Sequence, residues 1–463
     1  MRIAVALAAA LTLAVGASVV AGDTSFYTPP VVSVPKVKVP PITDGLLAPG
    51  EWAGAAALPP FVMVGGRAMP DHATEVWAAY DDHSLYIGAI LHNPNPSQLK
   101  ADATERDGAV WSDDSFELIF DTEDQRKSYI HLAVNPKEAQ YDALGKDKAA
   151  DYRWTARTAT VTNGWTVELE LPFANDYPPA AGIAWGFAVG RHCAADDGFS
   201  SWCRFEKSFH ELDNIGSMVF STTPPLPELS TLGKLWLGDN TAQVALRNLS
   251  DKSVACKVNT RVMGRDKRGD YFGTTKMSLA PGGKQSSNIP YRIQEDGFST
   301  LVFSVTDAAG ATIWRTAPYP VETPEVAPQI AAVEKALAAT MREWMQLPAG
   351  DGKQALRDEM DGLAVQWRYL VRQYSDRMQL DRVALESLAS YAGKLQSDVD
   401  LLAQRVKAAK QSGRTDRKYM LTAVPDTQLV QPGTVDLEPG LPVQLDACRN
   451  ETESALVVVL PFR

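Results

Sequence analysis

Trp111 sits in a polar loop, Asp107-Gly108-Ala109-Val110-Trp111-Ser112-Asp113-Asp114. The loop leads into Phe116-Glu117-Leu118-Ile119-Phe120, which alternates with period two as a strand does. A loop tryptophan beside a strand carboxylate is suited to a sugar. The indole face stacks on C–H groups, and the carboxylate accepts hydrogen bonds from hydroxyls. Asp113, Asp114 and Glu117 also raise the question of glycosidase chemistry. That needs two carboxyls held roughly 5–9.5 Å apart across a cleft, and sequence spacing does not show it. Other chemistries have no carrier: no Gly-x-Ser-x-Gly elbow, phosphate loop, His-Glu-x-x-His or strand–helix dinucleotide turn occurs. The six histidines fall at 72, 83, 92, 131, 192 and 210, so the second half has no obvious acid–base or metal chemistry.

These residues must be positioned by a chain of 463 residues, 45% hydrophobic and 22% charged, which is the composition of a globular protein of several domains. Its net charge of −11, with no basic run, argues against a nucleic-acid partner. Residues 1–22 read as a signal peptide: Arg2, an apolar run from Ile3 to Val15, then small residues for cleavage between Ala17 and Gly22. The expectation is an exported protein, periplasmic or extracellular, with no membrane span after cleavage. Four cysteines exclude a disulfide scaffold. Cys193 and Cys203 flank one loop and are expected to pair, while Cys256 and Cys448 are expected as buried thiols.

The fold class reads as mainly β with a helical hairpin. After an extended, proline-rich lead-in (23–41), strands and turns fill 42–221 without a long amphipathic helix, which suggests one large β-sandwich. Residues 228–322 repeat the strand-and-turn pattern at the spacing of an immunoglobulin-like β-sandwich. Residues 325–412 change to helix, with Leu356, Met360, Leu363, Trp367, Leu370 and Tyr374 on a heptad stripe whose phase falters near Asp381-Arg382. The expectation is a long α-helical hairpin, packed on a neighbouring domain or serving as a spacer or a dimerisation seam. Residues 416–463 return to strand-like sequence and read as a partial, incomplete C-terminal β segment.

Several ordered pieces resemble carbohydrate-binding module family 9. They are Ile42-Thr43-Asp44-Gly45 with Pro49-Gly50-Glu51-Trp52; the hairpin Ala79 to Tyr86; Trp111-Ser112-Asp113-Asp114-Ser115-Phe116-Glu117-Leu118-Ile119-Phe120-Asp121; Gly164-Trp165-Thr166-Val167-Glu168; and Ile215-Gly216. The resemblance covers about 40–221 and implies a sugar held between two aromatic rings over polar side chains. By position, Trp111 matches a stacking tryptophan and Glu117 the hydroxyl-binding glutamate. His131 stands where an arginine is usual, Phe209 where the second stacking tryptophan is usual, and Arg191 lies near a polar contact position. Family members can hold structural calcium, for which Asp81, Asp82, Asp121 and Asp124 could supply oxygens, with solvated turn aspartates as the plain reading. A related sandwich class binds haem through Met and His, and Met63, Met69, His131, His192 and His210 keep a haem-binding redox β-sandwich as an alternative.

Near the C-terminus, Leu445-Asp446-Ala447-Cys448-Arg449-Asn450-Glu451-Thr452-Glu453-Ser454-Ala455-Leu456-Val457-Val458-Val459 resembles the sandwich that precedes the barrel in glycoside hydrolase family 123-like proteins. The resemblance implies a non-catalytic front portion, with the catalytic barrel beyond this chain. No catalytic domain is recognisable in the chain itself, and no catalytic residue or obligatory cofactor is expected. An envelope structural protein that assembles through its helices is the other alternative.

Overall fold

The structure, a computed structural model, describes residues 28–174, 178–195, 198–265, 269–412, 419–425 and 455–461. The expected signal peptide and Cys448 lie outside the described residues, as does most of the segment resembling the family 123-like hydrolases. The described chain divides into two compact units, one holding most of the β-structure up to Val321 and the other most of the chain from Glu322 onward.

In the first unit the strands are β1 (Val31–Pro35), β2 (Ala56–Ala57), β3 (Val62–Met63), β4 (Thr74–Tyr80), β5 (Ser84–His92), β6 (Ser115–Asp121), β7 (Ile130–Val134), β8 (Gln140–Leu144), β9 (Thr155–Val161), β10 (Gly164–Pro172), β11 (Ala184–Cys193), β12 (Gly198–Ser201) and β13 (Gly216–Ser221). One sheet runs β2-β4-β5-β10-β9, and it faces a sheet containing β13-β11-β6-β7-β8. Side chains alternate across each strand. Val76, Leu85, Ile87, Leu91, Trp165, Val167 and Leu169 of one sheet and Phe116, Leu118, Phe120, Leu132, Val134, Phe187 and Val189 of the other are therefore buried as the two inner faces. Edge contacts between aromatic rings join the sheets, with Tyr80 and Phe220 at 5.0 Å and Phe173 and Trp185 at 6.1 Å.

The family signature divides by location. Its opening piece and the Gly164–Glu168 piece meet on the outer face of the β4–β5–β10 sheet. Glu168 Oε2 accepts hydrogen bonds from the backbone N–H of Asp44 (3.0 Å) and Gly45 (2.9 Å), and Oε1 accepts one from Trp52 Nε1 (3.0 Å). Trp52 then packs with Ala55, Ala79 and Tyr86 in a satellite core. Residue 88 must be glycine for this packing, since a Cβ there would stand 2.5 Å from the Trp52 ring.

The lead-in is more than a linker. β1 is buried and pairs in parallel with β13 on one side and antiparallel with β20 (Thr312–Arg315) on the other. It thereby fuses the second β region to the first: the sheet continues from β20 to β19 (Phe298–Thr306), β16 (Val254–Met263) and β17 (Tyr271–Leu279). A three-stranded sheet of β14 (Leu226–Thr231), β15 (Gly238–Arg247) and β18 (Lys284–Ile293) accompanies it. The two expected sandwiches thus share one continuous sheet. Pairing between segments so far apart in the chain leaves no local sequence signal.

Among the described residues the second unit holds three helices where a hairpin was expected: α1 (Ala327–Met345), α2 (Asp351–Ser375) and α3 (Arg382–Ser412). The faltering heptad phase marks a real break. Helix α2 ends at Ser375, a short turn spans Arg377–Gln379, and the Asp381 side chain caps α3 by accepting from Ala384 N at 2.8 Å. Arg405 pairs with Glu359 and Arg357 Nη1 reaches Met341 Sδ, which sets the helices up, down and up. Leu356, Met360, Leu363 and Leu370 of the stripe are buried with Leu385, Leu395, Val399, Leu402 and Val406. These stripe residues are buried in the described chain. No helix among the described residues is long and apolar enough to cross a membrane. Residues Tyr419–Pro425 and Ala455–Pro461 form an antiparallel pair.

Candidate functional site

The outer face of the β11-β6-β7-β8 sheet carries small residues at its centre. Ala133 lies opposite Glu117 and Tyr141, and Gly190 lies opposite Glu117 on the other side. Small side chains there leave a depression rather than a packed surface. The result is a cleft of about 290 Å³ lined by Trp111, Glu117, His131, Tyr141, Phe199 and Phe209, with Lys146, Lys207 and His210 among the rest.

Trp111 reaches the cleft because the loop before β6 is pinned from below. A short turn, Val110–Ser112, buries Val110 completely against Ala133, Ala139, Tyr141 and Ala143. Burying a valine contributes about 1.5–3 kcal/mol, enough to fix the turn's position. Asp113 Oδ2 accepts from Ala103 N and from Asn135 Nδ2, both at 2.9 Å, and Asp114 Oδ2 accepts from Lys100 N at 2.8 Å. The acid pair is therefore a brace for the loop. Trp111 itself stays 37% exposed, edge-on to Tyr141 at 5.1 Å, with the Lys148 ammonium 4.9 Å over its ring.

Glu117 and His131 lie diagonally on neighbouring strands, since Glu117 is opposite Ala133 and Ile119 opposite His131. His131 Nε2 is 2.8 Å from Glu117 Oε2, and Ser115 Oγ donates to Oε1 at 3.0 Å. The His131 ring meets the rings of Tyr141 and His210 at 5.2 Å each. Burial alone pushes the Glu117 carboxyl up, but the bonds and charge of His131 and the Ser115 hydroxyl outweigh it. The carboxyl is held below its ordinary value. His210 is pushed down, first by burial and then by the neighbouring charge of His131, against the pull of Glu117.

The signs give a pH prediction. A lowered histidine takes up its proton in the unfolded chain first, so stability is full above about pH 6.5 and falls as the pH drops below it. A lowered carboxyl gives up its contribution only on falling through a value under about 4.3. Between pH 7 and pH 5 the His210 effect therefore acts alone of the two. The urea midpoint of the wild type, read by tryptophan fluorescence, should drop more over that interval than that of His210→Asn. Equal drops would contradict the assignment.

The expected second ring, Phe209, lies over Gly190, where a Cβ would stand 2.4 Å from its ring, and is itself only 7% exposed. The ring that shows its face is Phe199, at 37% exposure, stacked on His192 at 4.3 Å and 11°. His192 Nδ1 also donates to the Asp113 carbonyl at 2.7 Å, so one imidazole supports both Phe199 and the Trp111 loop. Phe199 and Tyr141 were not singled out from sequence, and His210 only for the haem alternative. An aromatic in the short Gly-Phe-Ser-Ser strand was the available signal for the first.

Arg191 is placed elsewhere. It lies opposite Phe116, so its side chain leaves the sheet on the inner face, where it donates to the carbonyls of Ala73 (3.1 Å) and His92 (2.6 Å). The expected Cys193–Cys203 disulfide is absent. Strand β12 runs antiparallel to β11, with Gly198 opposite Cys193 and Ser201 opposite Gly190, so the chain travels away from Cys193 before reaching Cys203. At about 3.3 Å per residue the two are too far apart for the roughly 4.4–6.8 Å that a disulfide spans. Cys203 Sγ instead accepts from Gly216 N at 3.1 Å, and burial drives its thiol far up.

The candidate calcium ligands are engaged in turns. Asp81 Oδ1 accepts from His83 N (2.7 Å) and Ser84 N (2.8 Å), Asp82 pairs with Lys36, and Asp121 accepts from Arg126 N (2.5 Å). The Arg126 guanidinium lies 2.9 Å from Asp124 and donates to Ile215 O, so the charge a cation would bring beside Asp121 and Asp124 is already present. Among the described residues no group of three His, Cys, Asp or Glu is arranged to hold a metal ion.

Residues 43–209 match the family model described as carbohydrate family 9 binding domain-like, and this part of the chain is a domain of that kind. Among solved structures, the chain is similar to a carbohydrate binding module family 9 from Caldicellulosiruptor kristjanssonii in complex with glucose. The identity is 17% and the TM-score 0.32, over 42% of this chain and 96% of the other. The same module in complex with cellotriose is similar at 17% identity and a TM-score of 0.32, over 42% and 94%. No curated protein sequence matches the chain.

Proposed function

We propose that the cleft on the β6–β7–β8–β11 face binds the end of a glycan, and that the chain is an exported carbohydrate-binding protein. The observation that carries this is the exposed Trp111 ring over a buried, oriented acceptor, Glu117, in one cleft. A sugar presents C–H faces and hydroxyls at once, and a ring with a carboxylate beneath it answers both. The cleft's volume is at the lower edge of the range of about 300–1,000 Å³ for ligand sites, which suits a chain end better than a run of sugars. Sugar complexes of the similar module agree with the assignment.

Export rests on the signal-peptide pattern of residues 1–22, and the hydrolase context on residues 445–459. In that reading the chain is the non-catalytic front of a polysaccharide-degrading protein. Glu117 is the one carboxylate lining the cleft among the described residues, and glycoside hydrolysis needs two.

Electrophoresis through gels containing single soluble polysaccharides tests the proposal. The protein should be retarded in at least one gel and run freely in the control, and free migration in all of them would contradict it. His192→Phe keeps a ring against Phe199 but loses the bond to the Asp113 carbonyl. It should weaken binding about fivefold, the equivalent of about 1 kcal/mol, with the fold retained. Unchanged retardation would show that His192 does not position the site.

A further inference from the structure

We infer that the sugar taken by this cleft carries an anionic substituent, a uronic acid carboxylate or a sulfate ester. The inference rests on the glycan-binding reading above and narrows it to a ligand class. Its basis is a charge imbalance at the site. Lys146 and Lys207 both line the cleft and are exposed, and neither ammonium makes an ion pair among the described residues. A third cation, Lys148, stands over Trp111 and lies 5.2 Å from the Tyr141 ring centre.

The cleft's own carboxylate does not balance them. Each oxygen of Glu117 holds one hydrogen bond, with His131 and from Ser115, and neither pairs with a lysine among the described residues. The acids near the lysines along the chain are engaged as well. Glu211 accepts from the backbone N–H of Glu206, Lys207 and Ser208 and from Asn214 Nδ2, and Asp147 Oδ1 accepts from Ala149 N. Two ammonium-bearing side chains thus line the cleft and a third ammonium stands over its stacking ring, in a protein whose net charge is −11. A neutral sugar would leave these charges unanswered. An anionic one would meet them as charge-assisted hydrogen bonds while its ring still stacks on Trp111. The surrounding field would also draw it in at low ionic strength.

The test titrates the full chain with three oligosaccharides matched in length: neutral, uronate-terminated and sulfated. Wild type should bind at least one anionic ligand at least about tenfold more tightly than the neutral one, the value of one charge-assisted bond. Which anionic ligand wins identifies the substituent. Lys146→Gln and Lys207→Gln should each reduce that advantage, and raising the salt should weaken the anionic ligand more than the neutral one. Equal affinity for all three sugars, or an anionic preference indifferent to both lysines, would overturn the inference while the glycan-binding reading stands. Binding of none of the three, with no retardation in any polysaccharide gel, would remove both.

Discussion

Trp111→Ala is expected to weaken glycan binding by about thirtyfold or more, the 2 kcal/mol or greater loss that marks an aromatic anchor at the centre of a site. Its effect on stability should be small. The indole is 37% exposed and its turn is held by Val110, Asp113 and Asp114, none of which the substitution touches. The urea midpoint should therefore move by an amount equivalent to no more than about 0.5 kcal/mol. Calorimetric titration measures the first quantity and fluorescence-monitored denaturation the second. Full affinity in the variant would place the ligand elsewhere.

Glu168→Ala should do the reverse. Glu168 is buried on the sheet opposite the cleft and accepts three hydrogen bonds, from Asp44 N, Gly45 N and Trp52 Nε1. Removing a charged acceptor strands two buried donors, Gly45 N and Trp52 Nε1, and the partly buried Asp44 N, and opens the satellite core around Trp52. The expected cost is about 3–5 kcal/mol. Urea denaturation of the variant should show the loss in the transition of the first unit, and Glu168→Gln, which keeps an acceptor, should lose less. Below its unfolding midpoint, Glu168→Ala should still bind sugar with near wild-type affinity, since no part of the cleft depends on Glu168 directly. A midpoint within experimental scatter of wild type would show that the Asp44–Glu168 closure does not hold the domain together.

These two substitutions divide a motif that reads as one in the sequence. Asp44-Gly45, Trp52 and Glu168 are a structural closure, while Trp111 and Glu117 line the cleft. Trp111 was legible because a tryptophan among Asp, Gly and Ser cannot be core, and Glu117 because strand alternation sets it apart from Phe116 and Leu118. His131 was legible only through the resemblance, as the residue standing where an arginine is usual. What decides the remaining positions is register, which local sequence does not encode. One residue's shift sends Arg191 to the inner face and leaves His192 beside the site. The direction of β12 separates Cys203 from Cys193, and the turn beyond it buries Phe209 while Phe199 keeps its face open. The fusion of the two β regions through β1 depends on partners nearly 200 and 300 residues away. In the helices the heptad was legible and so was its break at Asp381. That the break separates α2 from α3, with α1 completing the unit, depended on how the buried stripe is shared.

The central claim, that sugar seats on Trp111, is tested most directly by the indole N–H resonances in a two-dimensional 15N–1H spectrum. The Trp111 resonance, assigned by its disappearance in Trp111→Ala, should shift as an oligosaccharide retained in the gel assay is added. Resonances of the buried Trp165, Trp202 and Trp314 should stay in place. Saturating ligand that leaves the Trp111 resonance unmoved, or that moves a different indole instead, would contradict the account.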